Sequence, residues 1–91
     1  MSDRARLQRW TPAEMDAYEH ARAMLNAVIA AYSARVGTAP NPQEARALRE
    51  EREPVLIERD RLTADHRERI AEIIREMPAR LAAVRDGGAG E

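Results

Sequence analysis

The stretch that decides the fold is Ala23–Tyr32, which reads AMLNAVIAAY. Its ten consecutive helix-compatible residues include a single strongly polar side chain, Asn26. A helix that is apolar almost all the way around has to be covered on several sides. The stretch therefore predicts the middle of a long first helix, against which later apolar rows pack, either from the same chain or from a second copy.

The start of this first helix is marked by a capping signal. Thr11 fits the N-cap position, Pro12 the first helical position and Glu14 the third, which together form a capping box. Trp10 and Met15 stand where a hydrophobic staple would form. The sequence therefore predicts that the helix begins at Pro12.

The far end of the first helix is predicted at Val36, with Gly37 in the C′ position that often follows a helix. Between the two ends, Glu19, Asn26 and Ser33 recur every seven residues and form a thin polar seam. We expect this seam to face solvent. Alternatively, Asn26 is buried between subunits, where it would fix register or oligomeric state.

A second helix is predicted to begin at Pro42, because Asn41, Pro42 and Glu44 repeat the capping pattern of the first helix. Pro54 falls in its interior. Since proline removes a backbone hydrogen bond and its ring crowds the preceding turn, we expect a kink near Glu50.

The chain after Ile57 permits two architectures. One regular row of apolar residues would suit a single unbroken helix, but residues 62–65 resemble a new helix start with Thr63 as N-cap. We favour the break, which gives a third helix over Ala64–Arg85, kinked at Pro78, and an all-α, three-helix antiparallel bundle. Without the break, the chain is a two-helix hairpin with a long kinked second helix that dimerises.

Length and composition predict one domain. Ninety-one residues support a single core. We assign residues 1–10 to a flexible N-terminal arm, residues 11–85 to a single helical domain and residues 86–91 to a disordered tail whose glycine content suits that assignment.

Motifs for catalysis or metal binding are absent from the sequence. Cysteine does not occur, which excludes disulfides and thiol nucleophiles. Asp16 and His20 lie one helical turn apart but lack further ligands, so we interpret them as a surface pair. His66 is expected to cap or pack rather than to catalyse. We therefore expect no enzyme activity, no catalytic residue, no metal, no cofactor and no small-molecule substrate.

Charge gives no global attraction to nucleic acid or membrane, because the net charge is −1. From Arg46 to Arg69, arginines alternate with acidic residues, a pattern typical of a solvated face with ion pairs one turn apart. No apolar run has the length of a signal peptide or a membrane span. We therefore expect a cytoplasmic protein that does not contact a membrane.

The apolar surface of the predicted helices exceeds what a compact monomer of this size easily hides. We therefore expect a non-catalytic helical protein–protein interaction module, either a homodimer or a small accessory subunit of a larger complex. The candidate contacts are apolar residues of the first and third helices. They are Met24, Val28, Tyr32, Ile70, Ile74, Met77 and Leu81.

An alternative is a small DNA-binding regulator of transcriptional or phage type. Arg4, Arg6 and Arg9 give the N-terminal arm a local positive charge, which suits contact with phosphates. Against this alternative, the helices lack a net basic face with amide or hydroxyl side chains among the arginines.

Overall fold

A computed structural model of the protein describes residues 10–87, which contain three α-helices and no strand. Helix α1 comprises Pro12–Gly37, α2 comprises Pro42–Arg61 and α3 comprises Arg67–Arg85. The all-helical fold and the break between the second and third helices are therefore confirmed, and the alternative of a two-helix hairpin is wrong. None of the three described helices is long and apolar enough to cross a bilayer.

The start of α1 matches the capping prediction. The Thr11 hydroxyl accepts a hydrogen bond from the Glu14 amide at 3.1 Å, and the Glu14 carboxylate accepts one from the Thr11 amide at 2.8 Å. Pro12 occupies the first turn. The Trp10 indole Nε1 donates to Asp65 Oδ1 at 2.8 Å, which ties the beginning of α1 to the connection before α3.

The end of α1 differs from the prediction by one residue. The helix continues past Val36 through Gly37, and Thr38 is its C-cap. The Thr38 hydroxyl donates to the carbonyl oxygen of Ala34 at 3.3 Å, and the Thr38 amide donates to the last turn. Because Thr38 satisfies these carbonyls, the helix ends without a C′ glycine, and the assignment of Gly37 to that position was wrong.

Helix α2 also begins as predicted. The Asn41 side chain accepts a hydrogen bond from the Glu44 amide at 2.8 Å, with Pro42 in the first turn. The helix continues through Pro54 to Arg61. An interior proline therefore removes one backbone hydrogen bond without ending the helix.

The connection between α2 and α3 is a closed turn rather than the start of α3. Leu62 caps α2 and is buried. The Thr63 amide donates to Nδ1 of His66 at 3.2 Å, and the His66 amide donates to the Thr63 carbonyl at 3.1 Å. Ala64 is buried inside this turn. The predicted start at Ala64 was therefore wrong, and α3 begins at Arg67.

Helix α1 is covered on two sides, because both α2 and α3 pack against it. The backbones of α2 and α3 do not come within 8 Å of each other at any pair of Cα atoms. Helix α3 continues through Pro78. The buried apolar side chains form one cluster, in which the largest contributions come from α1 and α3. They are Ala21, Leu25, Val28, Tyr32, Leu48, Val55, Leu62, Ile70, Ile73, Met77 and Val84.

Candidate partner-binding surfaces

The seven predicted contact residues divide into two groups. Four lie in the interior of the single chain: Val28, Tyr32, Ile70 and Met77. Three lie half-buried at its surface: Met24, Ile74 and Leu81. The prediction of an interface stays a prediction, and on the folded chain a partner can reach only the second group.

The half-buried group belongs to one apolar surface between α1 and α3. On α3, Ala71, Ile74, Pro78 and Leu81 are spaced three or four residues apart and therefore share one side of the helix. Alanines of α1 lie opposite. A shallow hollow of about 430 Å³ at one end is lined mainly by alanine and isoleucine. We call this surface the outer face and define it by Ala13, Ala17, Met24, Ala27, Ala30, Ala31, Ala34, Ala71, Ile74, Pro78 and Leu81.

Charged residues occupy the two ends of the outer face. At one end, the Arg67 guanidinium contacts the Glu14 carboxylate at 2.7 Å, across the hollow between α1 and α3. At the other end, Arg35 and Arg85 line a second hollow together with alanines of α1. The outer face is therefore mainly apolar between its charged ends, but the exposed His20 lies one helical turn from both Ala17 and Met24.

The predicted surface pair Asp16 and His20 is exposed on α1. Within residues 10–87, no group of three or more His, Cys, Asp or Glu side chains could hold a metal ion. His66 is exposed, and its Nδ1 already accepts the hydrogen bond from Thr63. The geometry thus gives His66 a role in the turn before α3.

The polar seam of α1 is exposed, as predicted, but it also bonds to α2. Ser33 Oγ accepts a hydrogen bond from Arg52 at 2.9 Å, and Asn26 Oδ1 accepts one from Arg59 at 3.2 Å. Polar bonds therefore close the edge where α1 meets α2. The sequence pattern did not reveal these pairs, because their members lie 19 and 33 residues apart.

A second open surface lies between α2 and the beginning of α3. It is a groove of about 800 Å³. Ile57 in its lining is 43% exposed, and no other large hydrophobic side chain of residues 10–87 is as exposed. Glutamates outnumber arginines along its walls. We call it the acidic groove and define it by Glu50, Glu53, Pro54, Ile57, Glu58, Arg61, Leu62, His66 and Arg69.

An ion pair joins the two walls of the acidic groove. The Arg69 guanidinium donates two hydrogen bonds to the Glu58 carboxylate, one of them at 2.7 Å, and a third to Glu72 at 3.0 Å. Hydrogen bonding by Arg69 lowers the pKa of Glu58, against a smaller opposing effect of burial, and Glu58 in turn raises the pKa of Arg69. Arg69 is thus neutralised locally. Glu50 and Glu53 make no ion pair within residues 10–87.

Some arginines of the helices bond other side chains, whereas others are exposed and make no side-chain bond within residues 10–87, namely Arg22, Arg46, Arg49, Arg61 and Arg85. Arg52, Arg59, Arg67 and Arg69 each bond a side chain of residues 10–87. The arm arginines, on which the DNA-binding alternative depends, lie outside the described residues, as do most of the predicted arm and tail. That alternative stays a prediction.

Comparison with protein-family models, with curated proteins and with solved structures gives no match for this chain. The functional argument therefore depends on the two surfaces themselves.

Proposed function

We propose that this protein is a non-catalytic helical interaction module that pairs with a second copy of itself through the outer face. The observation that carries the proposal is the position of Met24, Ile74 and Leu81. These side chains are half-buried and pack against the core. A second copy would complete their burial, and removal of apolar surface from water stabilises association by roughly 25 cal/mol per Å² before the costs of binding.

The proposal uses a bundle in which α1 and α2 are antiparallel. Support comes from the polar bonds at their edge: Asn26 bonds Arg59, whereas Ser33, later in α1, bonds Arg52, earlier in α2. Residue numbers therefore rise along α1 as they fall along α2.

Helices α1 and α3 are taken as parallel on the same reasoning. Glu14, near the start of α1, contacts Arg67 at the start of α3. Tyr32, near the end of α1, accepts a hydrogen bond at 3.0 Å from Arg80, near the end of α3. The two ends of the outer face are thus the two ends of both helices, and their charges can be compared directly.

The charges at these ends favour a two-fold antiparallel pairing. Asp16 is exposed near the start of α1, whereas Arg85 is exposed at the end of α3. A two-fold axis across the outer face would bring Asp16 of each copy towards Arg85 of the other, and like charges would be kept apart. The contact surface is isologous, so one patch serves both copies.

The alanines of α1 suit this pairing sterically. Ala27, Ala30 and Ala34 follow a spacing of three or four residues and carry no side chain beyond Cβ. Helices separated by small residues pack at the short end of the usual interaxial range of about 8–10 Å. A close helix pair would also seal the hollows at both ends of the outer face.

Sedimentation velocity over a concentration series tests the proposal. The wild-type protein should show a monomer–dimer equilibrium. Leu81→Glu should weaken the dimer by about 100-fold or more, because an unpaired carboxylate would be buried at an apolar contact. Ile57→Glu is the matched control, since it places the same charge in the acidic groove, and it should leave the dimer intact.

A wild-type chain that stays monomeric at high micromolar concentration would contradict self-pairing. So would a Leu81→Glu variant that dimerises as well as Ile57→Glu. A monomeric chain that forms a stable complex with another protein through Leu81 would show that the protein is an accessory subunit and not a homodimer.

A further inference from the structure

The turn between α2 and α3 is closed by hydrogen bonds, one of which ends on a titratable side chain. The Thr63 amide donates to Nδ1 of His66 at 3.2 Å, and the His66 amide donates to the Thr63 carbonyl at 3.1 Å. The Arg67 amide donates to the Asp65 carbonyl at 2.9 Å. Backbone carbonyls do not titrate, so Nδ1 of His66 is the one acceptor of these three that a proton can block.

The bond from Thr63 requires one particular protonation state of His66. A neutral imidazole carries one N–H donor and one nitrogen that accepts, whereas both nitrogens of an imidazolium are donors. Because Nδ1 accepts from Thr63, the ring in the closed turn is neutral and carries its proton on Nε2. A proton on Nδ1 would set two N–H groups against each other, and the ring would have to turn away from Thr63.

We propose that His66 is a pH-sensitive latch, which holds the turn between α2 and α3 closed when the ring is neutral and releases it when the ring binds a proton. Only the neutral ring accepts from Thr63, so the closed turn is favoured at high pH and is lost as pH falls. Release takes place between about pH 8 and about pH 5, the range in which histidine side chains change charge.

The surroundings of His66 favour release once the ring is charged. His66 is the N-cap of α3, and the free amides of a helix start disfavour positive charge. On its other side, His66 lines the acidic groove together with Glu50 and Glu53, neither of which makes an ion pair within the described part of the chain. A charged ring is thus repelled by the helix start and attracted by these carboxylates.

The other charged groups near His66 keep their charges over this range. Carboxylates are ionised above about pH 5, and guanidinium groups stay protonated throughout. Asp65 and Arg67 adjoin His66 in the chain, and Glu14 of α1 contacts Arg67. The charged groups that share the groove with His66 are Glu50, Glu53, Glu58, Arg61 and Arg69. A change in the turn between these pH values is therefore assigned to His66.

Release of the latch would extend beyond the turn itself. Asp65 accepts the hydrogen bond from the Trp10 indole that ties the beginning of α1 to this turn, and Ala64 is buried. Ala64 and Arg67 also line the hollow at one end of the outer face. The closed turn therefore supports the shape of that end. The latch operates within one chain, so this inference does not depend on self-pairing.

The tautomer of His66 tests the closed state. At high pH, the ratio of the Nε2–H to the Nδ1–H form should be roughly fivefold higher for His66 than for His20, a ratio that one hydrogen bond supplies. His20 is the internal control, because it is exposed and its side chain makes no hydrogen bond within residues 10–87. Long-range ¹H–¹⁵N spectra measure both rings in one sample. Equal ratios would overturn the proposal.

The backbone amide of Thr63 tests the release. Between about pH 8 and about pH 5, its NMR shift should change with the same midpoint as the ring protons of His66. A Thr63 amide shift that stays constant while the His66 ring titrates would overturn the proposal.

Two substitutions separate loss of the acceptor from a general effect of charge. His66→Asn keeps an acceptor that does not titrate, because its amide oxygen stands as many bonds from the backbone as Nδ1 does. The Thr63 amide should then stay bonded at low pH. His66→Ala removes the acceptor, so the Thr63 amide should be released at every pH.

Exchange of the Thr63 amide with solvent compares these variants. At about pH 5, exchange should be roughly fivefold faster in the wild type than in His66→Asn, as expected for the loss of one hydrogen bond. At high pH, the two rates should agree. His20→Asn is the matched control and should behave as the wild type does at both pH values. Equal rates for the wild type and His66→Asn at low pH would show that proton uptake does not release the turn.

Discussion

The two flanks of α1 are packed by different means. Towards α2, the buried contacts come from Leu48 and Val55, and arginines of α2 bond the polar seam along the edge. Towards α3, four apolar side chains of α3 are buried, and two polar contacts join the helices, one between Arg67 and Glu14 and one between Arg80 and Tyr32. Along the same contact, the apolar side chains Met24 and Leu81 are only half-buried.

The two contacts differ in the side chains that line their solvent-facing edges. At the α2 edge, hydrogen bonds from arginines satisfy Ser33 Oγ and Asn26 Oδ1, whereas the buried Arg52 Nε has no hydrogen-bond partner within residues 10–87. At the α3 edge, apolar side chains stay in contact with water, and each gains free energy when it is covered. The α3 flank is therefore the one that we assign to a partner.

The largest loss of stability is expected from shortening a buried apolar side chain that packs against α1, and the loss can be compared between α3 and α2. Ile73 on α3 is fully buried, whereas Leu48 on α2 is 5% exposed. Ile73→Ala should lower the free energy of unfolding by about 2–5 kcal/mol, because it leaves a cavity among α1 and α3. Leu48→Ala should cost less. Urea denaturation measures both, and a larger loss for Leu48→Ala would reverse the ranking of the flanks.

A smaller effect is expected at the polar anchor of the α3 flank. The Tyr32 hydroxyl accepts a hydrogen bond from Arg80, whose guanidinium carbon lies 5.6 Å from the ring centroid. Tyr32→Phe should destabilise the protein by about 0.5–1.5 kcal/mol. Tyr18→Phe is the control, because the Tyr18 hydroxyl makes no hydrogen bond within residues 10–87. Equal thermal stability of the two variants would show that the anchor contributes nothing.

The polar edge of the α2 flank should contribute less still. Arg59→Ala removes the bond to Asn26, and we expect a loss of about 0.5–1 kcal/mol, since the pair is partly exposed. Arg49→Ala, an exposed change on the same helix without such a bond, should be near neutral. Denaturation curves that coincide for the two variants would show that the hydrogen bond between Arg59 and Asn26 does not stabilise the edge between α1 and α2.

The smallest effect depends on pH and concerns the pair that joins α2 to α3. Arg69 lowers the pKa of Glu58 in the folded protein below its unfolded value of about 4.3. The ion pair of Glu58 and Arg69 therefore makes its full contribution to the free energy of unfolding above the unfolded pKa of Glu58. That contribution is lost as pH falls through the pKa of Glu58 in the folded protein.

Glu58→Gln should consequently cost less than about 1 kcal/mol at neutral pH, and the cost should shrink below about pH 4. Denaturation at a series of pH values measures the difference from wild type. Glu51→Gln serves as the control without a bonded partner. A difference between wild type and Glu58→Gln that persists in strong acid would exclude the proposed linkage.

The sequence predicted the helix starts of α1 and α2 well because their signals are local. Thr11 with Glu14, and Asn41 with Glu44, are three residues apart, so the capping bonds follow from spacing alone. The break after α2 was also predicted. Its exact extent was not, because the burial of Ala64 depends on packing against the rest of the fold.

The candidate surfaces were predicted only in part, for the same physical reason. Apolar spacing placed Met24 and Leu81 on helix faces, but it could not distinguish them from Val28, which the fold buries completely. The acidic groove was not predicted. Ile57 was the signal that could have revealed it, since it stands off the apolar row of α2.

The most direct test of self-pairing is the NMR signal of the Met24 methyl group, observed in ¹³C-methyl methionine protein from low to high micromolar concentration. Met77 is the internal control, because it is buried within the single chain. The proposed dimer predicts that the Met24 methyl shift changes with concentration, that Met77 changes little, and that Leu81→Glu abolishes the Met24 change. A Met24 shift that is independent of concentration would contradict the assignment of the outer face.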